Sequence, residues 1–177
     1  MKWINAVIAP CLLLAAASAT AAKDIGSAGE LRFSLTIAEG TCELDKELIE
    51  VDMGPVALKR PVVVGSELNQ KKFSIGLKNC SYATSALVTM DGRPDNDNPA
   101  LFALEPGGAT GIALQIKTDS TSPVVQKPVA TDSTPVSHVV WFDGSNRLNY
   151  IASYMPVRAN ATPGAANAMV TFNIQYE

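Results

Sequence analysis

The sequence predicts an all-β sandwich. Three features point to it: many short segments in which apolar and polar residues alternate, turn-forming clusters between them every 8–12 residues or so, and one cysteine pair placed to join distant strands. Past the N-terminal leader, no stretch carries a helical repeat, and there is no internal repeat or linker that would split the chain.

Residues 1–21 read as a secretory signal peptide. Lys2 supplies the positive start, Trp3 to Ala17 is mostly apolar, and small residues follow with Ala-x-Ala options, best after Ala21, with Ala19 and Ala22 as neighbours. A membrane anchor is the weaker reading, because the apolar run is short and passes straight into cleavable residues. No later segment is apolar enough to span a bilayer. Cys11 falls inside the leader. Roughly 155 residues remain, enough for one domain with its own core. Losing Lys2 takes the formal charge from −3 to −4. Scattered Lys and Arg on such a chain leave no electrostatic footprint for nucleic acid.

Cys42 and Cys80 survive processing, and in an exported chain they are expected to pair. The loop they close has about 39 residues, which loop-closure entropy makes worth roughly 4 kcal/mol. The chain has no C-x-x-C that would favour a reactive thiol pair.

The elements follow in order. Leu31 to Ile37 alternates and is the first strong strand. Leu48 to Met53 alternates loosely and stops at Gly54-Pro55. Pro61 to Gly65 is a short apolar run. Lys72 to Cys80 places Phe73, Ile75 and Leu77 on one face. Ala86 to Met90 is a short strand, and Asp91 to Pro99 is turn chemistry throughout. Leu101 to Leu104 is a short apolar piece. Gly111 to Lys117 aligns Ile112, Leu114 and Ile116. A Ser/Thr/Pro-rich connection from Thr118 to Pro135 has weak strand content at Val124-Val125, and Val136 to Phe142 reads as a further strand. Leu148 to Val157 brings Leu148, Tyr150, Ala152 and Tyr154 into phase. In the last stretch, Val170, Phe172, Ile174 and Tyr176 alternate with Thr171, Asn173, Gln175 and Glu177. So apolar a face calls for a neighbour, since an open strand edge invites pairing with another chain.

Candidates for chemistry are sparse. His138 is the only histidine, which disfavours a histidine-rich metal site or a Ser-His-Asp triad, and no serine lies in a G-x-S-x-G context. Its plain reading is a strand residue. Asp91, Asp95 and Asp97 resemble a calcium loop, but the spacing differs from D-x-[DN]-x-[DN]-G and no glutamate closes it, so a solvated turn is expected. Neither a catalytic group, a metal ion nor a cofactor is expected. Trp141 with Tyr150 or Tyr154 would suit a sugar platform if exposed; alternating aromatics on a strand are more often core.

Several stretches together resemble the type 1 pilins assembled by the chaperone–usher route. The end of the chain, P-G-A-A-N-A followed by x-x-T-F-x-x-Q-Y-x, places Gly164 and the penultimate Tyr176 as that family does. Asp97 to Leu104, Gly111 to Ile116 and Phe73 to Cys80 look like the middle of such subunits, and Cys42 lies about twenty residues into the mature chain, where the family has its first bridge cysteine.

The resemblance implies an incomplete immunoglobulin-like β-sandwich that lacks its final strand and is completed by a donor strand from another subunit. Residues 22–41 would be the N-terminal donor-strand extension and residues 42–177 the pilin domain. Leu31, Phe33, Leu35 and Ile37 would be the inserting side chains. Gly164, Val170, Phe172, Ile174 and Tyr176 would mark the strand at the groove edge, with the carboxylate of Glu177 held by basic residues of a periplasmic chaperone. Neighbouring pilin subunits and an outer-membrane usher would be the other partners, and the route would run through the periplasm to a surface fimbrium. The function implied is a structural fimbrial subunit contributing to cell adhesion, not an enzyme; the alternative is a carbohydrate- or receptor-binding module displayed on the fibre. The chain departs from the family at Leu35, where a glycine is usual seven residues before the first bridge cysteine. That larger side chain implies a roomier acceptor or a dedicated neighbour.

Overall fold

The computed structural model describes Ser34, Leu35, residues 40–141 and residues 144–177. The chain divides into two compact units, Met1–Thr36 and Ile37–Glu177. Of the first, only Ser34 and Leu35 are described, and Leu35 is exposed. The strand expected over Leu31 to Ile37 therefore lies largely outside the described residues.

In the second unit, alternation gives strands nearly everywhere it was expected. They are β1 (Thr41–Leu44), β2 (Leu68–Ser81), β3 (Ser85–Asp91), β4 (Phe102–Ala103), β5 (Ile112–Thr118), β6 (Val125–Gln126), β7 (Val136–Val139), β8 (Gly144–Pro156) and β9 (Thr171–Tyr176). All pairings between these strands are antiparallel. One sheet runs β1-β2-β8-β5-β4 with β6 also on β5; the other runs β7-β3-β9. The two sheets enclose the core, as in a sandwich.

The long strands β2 and β8 form the spine. Their register sets Phe73 opposite Tyr150 and Ile75 opposite Leu148. Ile75, Leu77, Leu148 and Tyr150 are buried, and Val88 meets them from β3. Phe73 stacks on Tyr150, with ring centroids 5.5 Å apart at 22°, a geometry that adds to the area both rings bury.

Two expectations are corrected. Leu48 to Met53 forms no strand. Among the described residues no strand makes a ladder with this loosely alternating segment, and Leu48 is left exposed. The segment expected over Val136 to Phe142 ends at Val139. There the Asn146 carboxamide bonds the Trp141 backbone in place of a strand partner, accepting its N–H at 2.9 Å and donating to its carbonyl at 3.0 Å.

His138 is the half-buried strand residue its isolation suggested, and it ties the sheets together. Its Nε2 lies 2.7 Å from the Tyr150 hydroxyl, and the rings meet edge to face. Burial pushes the Tyr150 phenol up and the His138 imidazole below its ordinary 6.5. The unfolded chain thus takes a proton at higher pH than the folded one. Stability is fully present above about pH 6.5 and is lost as pH falls through the window beneath it. The urea midpoint should drop between about pH 7 and about pH 5, and His138→Gln should flatten that drop.

Candidate functional site

The terminal strand β9 pairs with β3 along one edge, Phe172 opposite Met90 and Ile174 opposite Val88. Among the described residues, no strand pairs with its other edge. Its apolar residues do not sit in a closed core. Val170, Phe172, Ile174 and Tyr176 are half-buried, packed against the core on one side and open on the other.

A groove follows that open edge. It encloses a cavity of about 290 Å³. Val170 and Phe172 form one wall, and the irregular stretch from Glu47 to Met53 forms the other. The floor is apolar: Phe73 and Ile75 of β2, Leu114 and Ile116 of β5, Ala152 and Tyr154 of β8. The strand period explains this floor, since each of these residues is on the inward face of its strand. Ala152 is the small residue between two tyrosines in β8, and it leaves space in mid-floor.

The wall carrying β9 is held in place by a backbone crossing. Ala109 donates its N–H to the Ala165 carbonyl at 2.8 Å, and the hydroxyls of Thr110 and Thr162 meet at 2.7 Å. A Cβ on Gly164 would lie 2.6 Å from Ala109 N, so no larger residue fits without moving backbone. Tyr154 adds a hydrogen bond from its hydroxyl to the Ala166 carbonyl.

The structure places the site residues singled out in the sequence as follows. Cys42 and Cys80 are bonded, with Cα atoms 4.1 Å apart, fixing β1 against the end of β2. Of the expected groove-edge residues, Val170 and Phe172 line the groove, Ile174 and Tyr176 follow on β9, and Gly164 lies at the backbone crossing before it. Glu177 has partners within the domain: its main-chain oxygen accepts from the N–H groups of Thr84 and Ser85 at 2.7 and 3.0 Å. Of the inserting side chains, Leu31, Phe33 and Ile37 lie outside the described residues, and Leu35 is exposed. The residues sequence reasoning missed are the 47–53 wall, Gly108 and Asn146. The only signal for the wall was its loose alternation.

The aromatic cluster of the alternative reading does not form. Tyr150 and Tyr154 are core residues at 0 % and 8 % exposure, and Trp141 alone of the three faces solvent. The carboxylates of the Asp91–Asp97 turn are engaged locally: Asp95 accepts from the N–H groups of Asp97 and Asn98 at 2.9 and 3.1 Å, and Asp97 pairs with Arg158. No helix among the described residues is long and apolar enough to cross a membrane.

Comparison with known proteins places this geometry. The family model described as fimbrial protein matches residues 31–177. The chain is 58 % identical over 177 residues to protein LpfE of Salmonella typhimurium, covering all of both chains. It is 44 % identical over 167 residues to a probable fimbrial subunit LpfE of Escherichia coli O157:H7, covering 94 % of this chain and 93 % of that one. Among solved structures, an antigen and type I fimbria protein of Burkholderia pseudomallei superposes with a TM-score of 0.58 at 32 % identity, covering 76 % of this chain and 88 % of that chain. The open-edged sandwich is the incomplete immunoglobulin-like fold of pilus subunits, and the chain belongs to the fimbrial protein family, as a structural subunit of a surface fimbria.

Proposed function

We propose that the groove accepts a strand from another pilin, and that residues 22–41 of this chain fill the groove of a neighbour in turn. What supports this is the groove itself: an apolar cleft along a strand edge that has no strand partner among the described residues. Strand addition would pair the backbone of β9 and set alternate side chains into the floor. Leu31, Phe33, Leu35 and Ile37 are the proposed inserting face, each contributing roughly 1.5–3 kcal/mol before ordering costs. A periplasmic chaperone would lend the strand before assembly, and an outer-membrane usher would exchange it for the next extension. In this reading the protein works by assembly rather than by catalysis. It reaches the surface through the periplasm, and its kinship to LpfE proteins suggests a long polar fimbria as its organelle.

The test uses the domain 42–177 with a synthetic peptide of residues 22–41. The domain alone should be weakly stable, and an accepted peptide should raise its unfolding midpoint progressively with concentration. A rise would favour a repeating subunit whose groove takes its own extension. A weak domain that ignores the peptide would indicate that Leu35 selects a different neighbour. A domain fully stable by itself would mean the sandwich is complete, and the reading fails.

A further inference from the structure

Large apolar side chains stand out of the surface where the chain enters the domain. Gly40 lies against the turn that follows β2, so close that a Cβ on it would be 2.7 Å from Ala83 Cα. Beside that turn, Tyr82 is 72 % exposed, Val139 76 % and Trp141 75 %. The ladders bring them to one end of the sandwich. Thr41 pairs with Ser81, Ser85 pairs with Val139, and Val140 donates its N–H to the Thr84 carbonyl at 3.0 Å. Clustered exposure of this kind marks an interaction surface more often than chance.

Two of the three are held in place. Asn146 is buried, and its carboxamide both donates to and accepts from the Trp141 backbone. A polar side chain is thus buried to fix the main chain of an exposed tryptophan. Tyr82 has φ +57°, the left-handed region that a bulky residue seldom adopts without a structural reason. Pre-set backbone lowers the ordering cost of using these rings as anchors, and Trp and Tyr are the usual anchors of protein interfaces.

The position of Gly40 suggests what covers them. The proposed inserting stretch ends at Ile37, three residues before Gly40, a span of at most ~11 Å when extended. Any domain that takes up residues 31–37 is therefore drawn against this end of the sandwich. Resting on the strand-addition reading, we infer that Tyr82, Val139 and Trp141 form a second docking surface for the same pilin domain that accepts this chain's extension. Each junction would then hold by an inserted strand and by an apolar clasp at its base. Because the tether is short, the clasp forms at high effective concentration, and a contact too weak to bind alone suffices to fix the angle between successive domains. The cleft beside Trp141 supplies a polar rim from Asp45, Lys78 and Arg147.

Photo-crosslinking in assembled fibres tests this. The full chain carries p-benzoylphenylalanine in place of Trp141 or, separately, in place of Phe33. Both should cross-link to the same pilin species. If position 33 reaches a pilin while position 141 reaches nothing or a different subunit, the clasp is overturned and strand addition stands. If position 33 reaches no pilin, both fall. A second measurement follows subunit release from fibres in detergent. Trp141→Ala should speed release on the order of tenfold, with Trp141→Phe restoring most of it. An unchanged release rate, or loss of binding to immobilised glycans in its place, would make this surface a receptor site and overturn the clasp.

Discussion

Replacing both bridge cysteines with alanine is expected to cost about 4 kcal/mol, read as a lower urea midpoint than the oxidised wild type. The bridge ties Cys42 to Cys80 and so fixes β1, four residues long, against the end of β2. The β1–β2 register is broken by a bulge between Thr41 and Glu43, so the ladder alone holds β1 weakly. The loss should reach function through position. β1 leads directly into the Glu47–Met53 wall of the groove. With β1 released, that wall has no ladder of its own to hold it. The double variant should therefore lose response to the 22–41 peptide more steeply than its stability loss predicts. Reducing agent should reproduce the effect in the wild type. Equal stability of oxidised and reduced chains would contradict this account.

Gly164→Val should destabilise by about 3 kcal/mol or more, among the largest effects of a single surface substitution. The reason is space. The first added carbon meets Ala109 N at 2.6 Å and Gly108 C at 2.7 Å, and backbone, unlike a side chain, cannot swing aside. Gly108 faces the same crossing, where a Cβ would lie 1.9 Å from the Ala165 carbonyl oxygen. Two glycines thus let two backbones cross and anchor the start of the β9 wall. Gly107 separates this cause from strain. It has φ +91°, and a Cβ added there would meet nothing within 4 Å, so Gly107→Ala should cost only about 1–2 kcal/mol. Urea titration of the two variants side by side checks the order. A Gly164 variant as stable as wild type would mean that the crossing opens freely.

Strands with one strongly apolar face were legible in the sequence. β2 and β3 bury one face and β9 half-buries one, and a period of two records it directly in residue order; β5 is buried on both faces, which its alternation did not show. The lone histidine and the cysteine pair were equally plain, because they depend on residue type. The 47–53 segment was not legible. It alternates, yet a ladder needs a neighbour, and only the arrangement of the sheets shows that among the described residues no strand pairs with it. Trp141, Tyr150 and Tyr154 look alike as aromatics in strand-like segments. Register sends the two tyrosines into the core, while Asn146 bonds the Trp141 backbone and leaves its ring in solvent.

Residue order alone carries an all-β, disulfide-linked domain with a strand at β9 that needs a partner, since local alternation and composition are enough for that. The tertiary structure decided where the open groove lies, which wall faces β9 and why Gly164 must be glycine. Those depend on segments far apart in the chain coming within van der Waals reach, and residue order does not record such distances.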